Sequence, residues 1–166
     1  MHPSAIFHGD QFFKTYIPSP SADITVLEIG SQNVNGCLKD VAPKGIKYVG
    51  LDFVEGPGVD IVISDPYVLP LPDASVDMIV SSACFEHSEF FWLVFLEVMR
   101  VLKPQGIFYL NTPSNGFFHR YPVDCWRFIQ IQAMRWWPGE SAMGMIRHCW
   151  NRSLGCVVAG EYGVIV

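Results

Sequence analysis

The chain has 166 residues, 50% of them hydrophobic and 16% charged, which suits one packed domain and excludes a disordered or fibrous chain. Its formal net charge is -5 and its Lys and Arg residues are scattered, so no basic stripe is available to neutralise a phosphate backbone and nucleic acid is an unfavoured partner. The opening MHPSAIFHGD has neither a basic nor an apolar leader region, and no apolar run reaches bilayer length, so the expectation is a soluble, cytoplasmic protein without a membrane span.

In chain order, Ile6, Phe7, Phe12, Phe13 and Tyr16 predict a helix around Ala5 to Tyr16, closed by Pro18 and Pro20. Strands are expected at Thr25 to Ile29, Lys47 to Leu51, Asp60 to Ile63, Val76 to Val80 and Gly106 to Leu110. A second helix is expected from Glu89 to Leu102, with Ser88 as its cap, Glu89 at its positive end, and Phe91, Phe95, Val98 and Leu102 on one face. Lys103, Pro104 and Gly106 should end it. Strand-length runs alternating with helical segments imply a Rossmann-like α/β domain: a doubly wound, mostly parallel sheet with helices on both faces. A single domain is expected, with a helix and linker over 1–22, a core over 23–128 and an atypical tail over 129–166.

In such a sheet, ligands bind beyond the carboxyl ends of the strands. The first strand leads into Glu28, Gly30 and Ser31, the second into Asp52, the third into Asp65, and the fourth into the stretch from Ser81 to His87. Gly30 lets the backbone turn tightly, and Asp52, 22 residues on, is placed to accept hydrogen bonds from a ribose diol. A dinucleotide would want GxGxxG, yet after Gly30 the next glycine is Gly36, so a nucleoside without phosphates fits better than NAD. Five cysteines, widely spaced and without a CxxC pair, suggest neither a zinc site nor disulfides, and no metal is expected.

The segments VLEIG, VGLDF, SDPYVLPLPDASVDMIVSS and EVMRVLKPQGIFYLNTPS together resemble the class I S-adenosylmethionine-dependent methyltransferases over residues 23–128. The resemblance implies that Glu28 and Gly30, with Ser31, line the methionine side of S-adenosylmethionine. It also implies that Asp52 grips the ribose, Phe53 flanks the adenine, and Asp65 with Pro66 lies near the adenine amino group. Ser82 to His87, including Cys84, would border the reacting methyl. The chain departs from the family's ExGxGxG at Gln32 and Val34. DPY at Asp65 is similar to the tetrapeptide of amino-methylating DNA enzymes but follows the third strand rather than the fourth, and the acidic balance argues against DNA.

FEHSEFFWLVFLEVMRVLKP and FHRYPVDCWRF resemble a bacterial subgroup associated with glycan genes, which implies a methyl acceptor that is a small molecule or glycan-linked, through oxygen or nitrogen. His119, Arg120, Tyr121, Asp124, Trp126 and Arg127 could stack and ion-pair that substrate, or form a packed Trp beside an Arg to Asp bridge. His87 is the candidate base, against a plain helix-start polar residue; a sulfonium-activated methyl makes no base obligatory. Cys84 and Cys125 read as small core residues rather than nucleophiles. The rival to an enzyme is a catalytically inactive nucleoside-binding or partner-binding domain.

From Ile129 onward, IQIQAMRWWPGESAMGMIRHCWNRS has no clean helical face. Reading from the third base of the Phe128 codon permits Tyr-Pro-Asp-Ser-Gly-Asn-Ala-Leu-Val-Ala, the continuation that the resembled subgroup implies, so a frameshift near Phe128 is the expectation. DNA sequencing across that codon tests it. Only SLGCVVAGEYGVIV could then add strands, so the C-terminal strands should be incomplete and the exposed sheet edge should favour a homodimer.

Overall fold

The computed structural model describes residues 1–114 and 116–128, and the backbone of two short strands at 158–160 and 163–165. The order is α1 (Pro3–Tyr16), β1 (Thr25–Ile29), a 3-10 helix (Leu38–Val41), β2 (Lys47–Asp52), β3 (Ile61–Val62) and β4 (Val76–Ser82). A second 3-10 helix (Phe85–His87), α2 (Phe91–Val101), β5 (Leu102–Asn111), β6 (Val158–Gly160) and β7 (Gly163–Ile165) follow. The sheet order is β3-β2-β1-β4-β5-β7-β6. β1 to β5 pair in parallel, with Ile29 opposite Leu51 on one side and Ser81 on the other. β6 and β7, three residues each, pair antiparallel with each other. The frameshift expectation falls on residues 129–157, outside the described residues.

Period-two alternation divides the strands between two cores. Val26, Met78, Val80 and Tyr109 face α1, where Phe12, Phe13 and Ile17 cover them. Leu27, Ile29, Ile79, Phe108 and Leu110 face α2, where Val94, Val98 and Val101 close the other side. Helices on both faces of a parallel sheet follow from these apolar stripes. α1 starts at Pro3, whose missing N–H costs nothing in the first turn, and Ser4 N–H donates to the His2 ring at 3.3 Å.

Among the boundaries that differ from expectation, three bear on the site. α2 begins at Phe91 rather than Glu89, because the residues before it wind into the 3-10 helix and Ser88 N–H bonds Phe85 O at 3.2 Å. Ser88 is therefore no cap, and its hydroxyl is buried without a protein partner. β5 begins at Leu102, since the chain passes straight from α2 into the strand and Leu102 pairs with Val76 ahead of a register shift. β3 is two residues long, and just before it Asp60 meets Gly50 through its carboxylate, which accepts Gly50 N–H at 2.7 Å, and its N–H, which donates to Gly50 O at 2.8 Å.

Candidate functional site

The chain runs outward from β1 to β3 and then returns to place β4 on the other side of β1, so the strand order reverses between β1 and β4. Above that point lies a cavity of about 860 Å³, within the usual range for small-molecule sites. Gly30, at the end of β1, has φ +78°, and an added Cβ would lie 2.6 Å from both Cβ and Sγ of Cys84. Only glycine meets both the left-handed turn and the close approach. Burial, with the Glu86 carboxylate second, pushes the Cys84 thiol up to about 12, which leaves it a neutral wall residue and no nucleophile.

Asp52 closes β2 in the cavity wall with 8% exposure. Gln32 N–H donates to Oδ2 at 3.0 Å and Val54 N–H to Oδ1 at 3.2 Å. Each carboxylate oxygen thus keeps acceptor capacity. Phe53 and Val54 beside it are large apolar side chains left 51% and 40% exposed, and Pro66 and Tyr67 also line the cavity. Ser82 contributes to the wall with a buried hydroxyl that has no protein partner.

Glu28, expected along the methionine side, does not line the cavity. Alternation along β1 sends it to the α1 face with Val26, where Leu38 N–H (3.3 Å) and Tyr48 O–H (2.8 Å) donate to its carboxylate. It is 1% exposed, and burial raises its pKa to about 7. Ser31 is also outside the lining: its Oγ is directed at Gly50, where an added Cβ would lie 2.7 Å away. Asp65 stays exposed at the rim, its carboxylate accepting Tyr67 N–H at 2.9 Å, while its neighbour Pro66 forms wall.

The opposite wall comes from His87 and from the loop after β5. His119, Arg120 and Tyr121 line the cavity; Asp124, Trp126 and Arg127 do not. The latter three form the packed alternative weighed from the sequence. Arg127 donates through both terminal nitrogens to Asp124, holding that carboxyl well below the usual carboxylate range. Trp126 Nε1–H donates to Ser88 O at 2.9 Å, and its ring meets Phe91 edge-on at 5.2 Å. His87 Nδ1 bonds Val123 O, and its neighbour Glu86 is buried at 1% exposure, with burial raising its pKa.

Several pairings between these residues went unread in the sequence. Gln32 and Tyr121 meet across the mouth of the cavity, Tyr121 O–H donating to Gln32 Oε1 at 3.3 Å over 89 positions of chain. Glu86 accepts from Thr112 Oγ1 at 3.1 Å. No local spacing links residues so far apart, whereas Tyr67 and Val54 could have been found as the apolar neighbours of Pro66 and Phe53.

A parallel strand order that reverses beside β1, with a cavity at that point and the Asp52 carboxylate in its wall, defines a Rossmann-like α/β domain. Residues 12–110 match the methyltransferase domain family, more than half of the chain, and the protein belongs to that family. It is 37% identical over 104 residues to a Mycolicibacterium smegmatis protein named "Probable S-adenosylmethionine-dependent methyltransferase", covering 56% of this chain and 39% of that one. It is 31% identical over 109 residues to the malonyl-[acyl-carrier protein] O-methyltransferase of Methylococcus capsulatus, covering 58% of this chain and 39% of that one. The chain thus spans about two fifths of the length of these relatives. The fold also superposes on a Methanococcus maripaludis crystal structure, described as a candidate S-adenosylmethionine-dependent methyltransferase, with TM-score 0.53, 22% identity, and coverage of 66% of this chain and 55% of that one. Among the described residues no helix is long and apolar enough to cross a membrane.

Proposed function

We propose that the domain binds S-adenosylmethionine in the switch-point cavity and transfers its methyl group to an oxygen or nitrogen of a small-molecule or glycan-linked acceptor. The observation that carries this reading is Asp52, a nearly buried carboxylate at the end of β2 whose two oxygens each accept one backbone N–H and can each accept one more bond. That chemistry fits a ribose diol. The exposed Phe53 ring offers a flat apolar face for adenine, with Pro66 and Tyr67 also in the wall, and the Ser82 hydroxyl is a further polar group available to the ligand.

When bound, the cofactor supplies a methyl group already activated by its sulfonium. The protein's part is then to exclude water and align the acceptor. His119, Arg120 and Tyr121 bound the acceptor side, and His87 serves as proton acceptor through Nε2, its Nδ1 being engaged with Val123 O. Asp124, Trp126 and Arg127 support that loop from behind. The three-residue β6 and β7 favour one rival, a domain that binds the nucleoside without turning over. The homodimer expected from the shortened edge and a cytoplasmic setting are carried into this proposal; sedimentation equilibrium tests the former. Calorimetry with S-adenosylhomocysteine and with NAD tests the ligand class: the first should bind and the second should not. A methyl-transfer assay on glycan and small-molecule acceptors separates enzyme from inactive binder.

A further inference from the structure

On the acceptor side of the cavity, three side chains from two separate segments converge. Glu86 and His87 lie on the 3-10 helix after β4 and His119 on the loop after β5, and one candidate ligand atom from each lies within 4.8 Å of the others. The protein backbone sets both imidazole tautomers. Nδ1 of His87 meets Val123 O, and Nδ1 of His119 meets Phe117 O at 3.2 Å. A carbonyl only accepts, so each ring carries a proton on Nδ1, and in the neutral imidazole this leaves the lone pair on Nε2. Metal-binding histidines are oriented in this way, by a backbone carbonyl on the nitrogen that does not ligate.

The carboxylate is prepared in the same sense. Thr112 Oγ1 donates to Glu86 Oε2 at 3.1 Å, while Oε1 lies 3.8 Å from His87 Nε2. Glu86 is 1% exposed, and no Lys or Arg among the described residues forms a salt bridge with it. The nearby Arg127 is committed to Asp124. A buried carboxylate beside imidazole nitrogens is offset either by a proton held between them or by a bound cation.

We propose that Glu86, His87 and His119 form a binding site for one borderline divalent metal ion of the zinc, iron(II) or cobalt(II) group. Two imidazoles and a carboxylate suit such ions and leave coordination positions open toward the cavity. Ligand atoms around zinc are about 3.3 Å apart for bonds of about 2.0 Å in a tetrahedron, so the set must close slightly, and the His119 side chain, 53% exposed, has room to swing inward. The site stands on side-chain geometry and not on the cofactor reading. In the metal-loaded protein, ligation replaces the proton-acceptor role given to His87 above, and an open position would orient an oxygen of the acceptor.

The test is titration of the chelator-treated full chain with cobalt(II), followed by visible absorbance and calorimetry. One equivalent should bind saturably. His119→Ala, a change at an exposed side chain, and His87→Ala should each weaken uptake at least tenfold, with circular dichroism checking that both variants fold. Asp52→Ala should leave cobalt uptake unchanged, which separates failure of this site from failure of the nucleoside reading. Absence of saturable uptake by the unmodified chain, or uptake by both histidine variants equal to that of the unmodified chain as thiol binding would give, overturns the proposal.

Discussion

The wall of the cavity built from the ends of β1 and β2 and the wall built from residues 119–123 are made by different means. In the first, groups at the strand ends are fixed by backbone bonds: Asp52 by Gln32 and Val54 N–H, Gly30 by its own N–H to Leu51 O at 2.9 Å. In the second, the loop is tied down by long-range bonds, Cys125 and Trp126 N–H to Glu86 O and Tyr121 to Gln32. Strand ends thus set the first wall, and backbone and side-chain bonds between distant segments set the second. The first should break all at once and the second by degrees.

The largest effect is expected at the strand-built wall. Gly30→Ala adds a Cβ 2.6 Å from Cys84 at φ +78°, and should lower stability by about 3 kcal/mol, combining left-handed strain with overpacking. Chemical denaturation measures the loss, and Cys84→Ala in the same chain should recover part of it, because Sγ is one of the two clashing atoms.

Next comes Glu28, which belongs to the frame behind that wall. Burial raises its folded pKa from the ordinary 4.5 to about 7. The folded state therefore holds the extra proton between these values, so the stability linked to Glu28 is full below about pH 4.5 and is lost as pH rises through about 7. The span corresponds to roughly 3 kcal/mol at most. Glu28→Gln should flatten the dependence of unfolding free energy on pH between 5 and 8 while leaving S-adenosylhomocysteine affinity within about twofold. A large loss of affinity in that variant would return Glu28 to the ligand.

The smallest effect is expected at the loop-built wall. Tyr121→Phe removes one exposed hydrogen bond across the mouth and should change S-adenosylhomocysteine affinity by less than about threefold, with an unchanged melting temperature.

The same contrast explains what could be read from the sequence. Thr25 to Ile29 was legible as β1 to the residue, and β4 was found two residues short, because apolar runs bounded by turns carry their own signal. Asp52 could be located by counting from Gly30. Glu28 stands away from the cavity lining because alternation with Val26 sends it to the α1 face, and a motif gives a position along the chain but not the face of the strand. The β5 start was missed because Lys103 and Pro104 signal a helix end, which is true of α2, but the strand follows without a loop. Trp126 and Arg127 offered two arrangements of equal local quality, and only the fold, by bringing Ser88 and Phe91 alongside, selects the packed one. The Glu86, His87 and His119 group was invisible because its members come from two segments 32 positions apart that only the fold unites.

Calorimetric titration of S-adenosylhomocysteine into the unmodified chain and into Asp52→Ala tests the central claim most directly. The account predicts one site in the unmodified chain and a loss of about a hundredfold in affinity, roughly 2.8 kcal/mol, in the variant. Equal affinity in the two, or no binding by the unmodified chain, would contradict it.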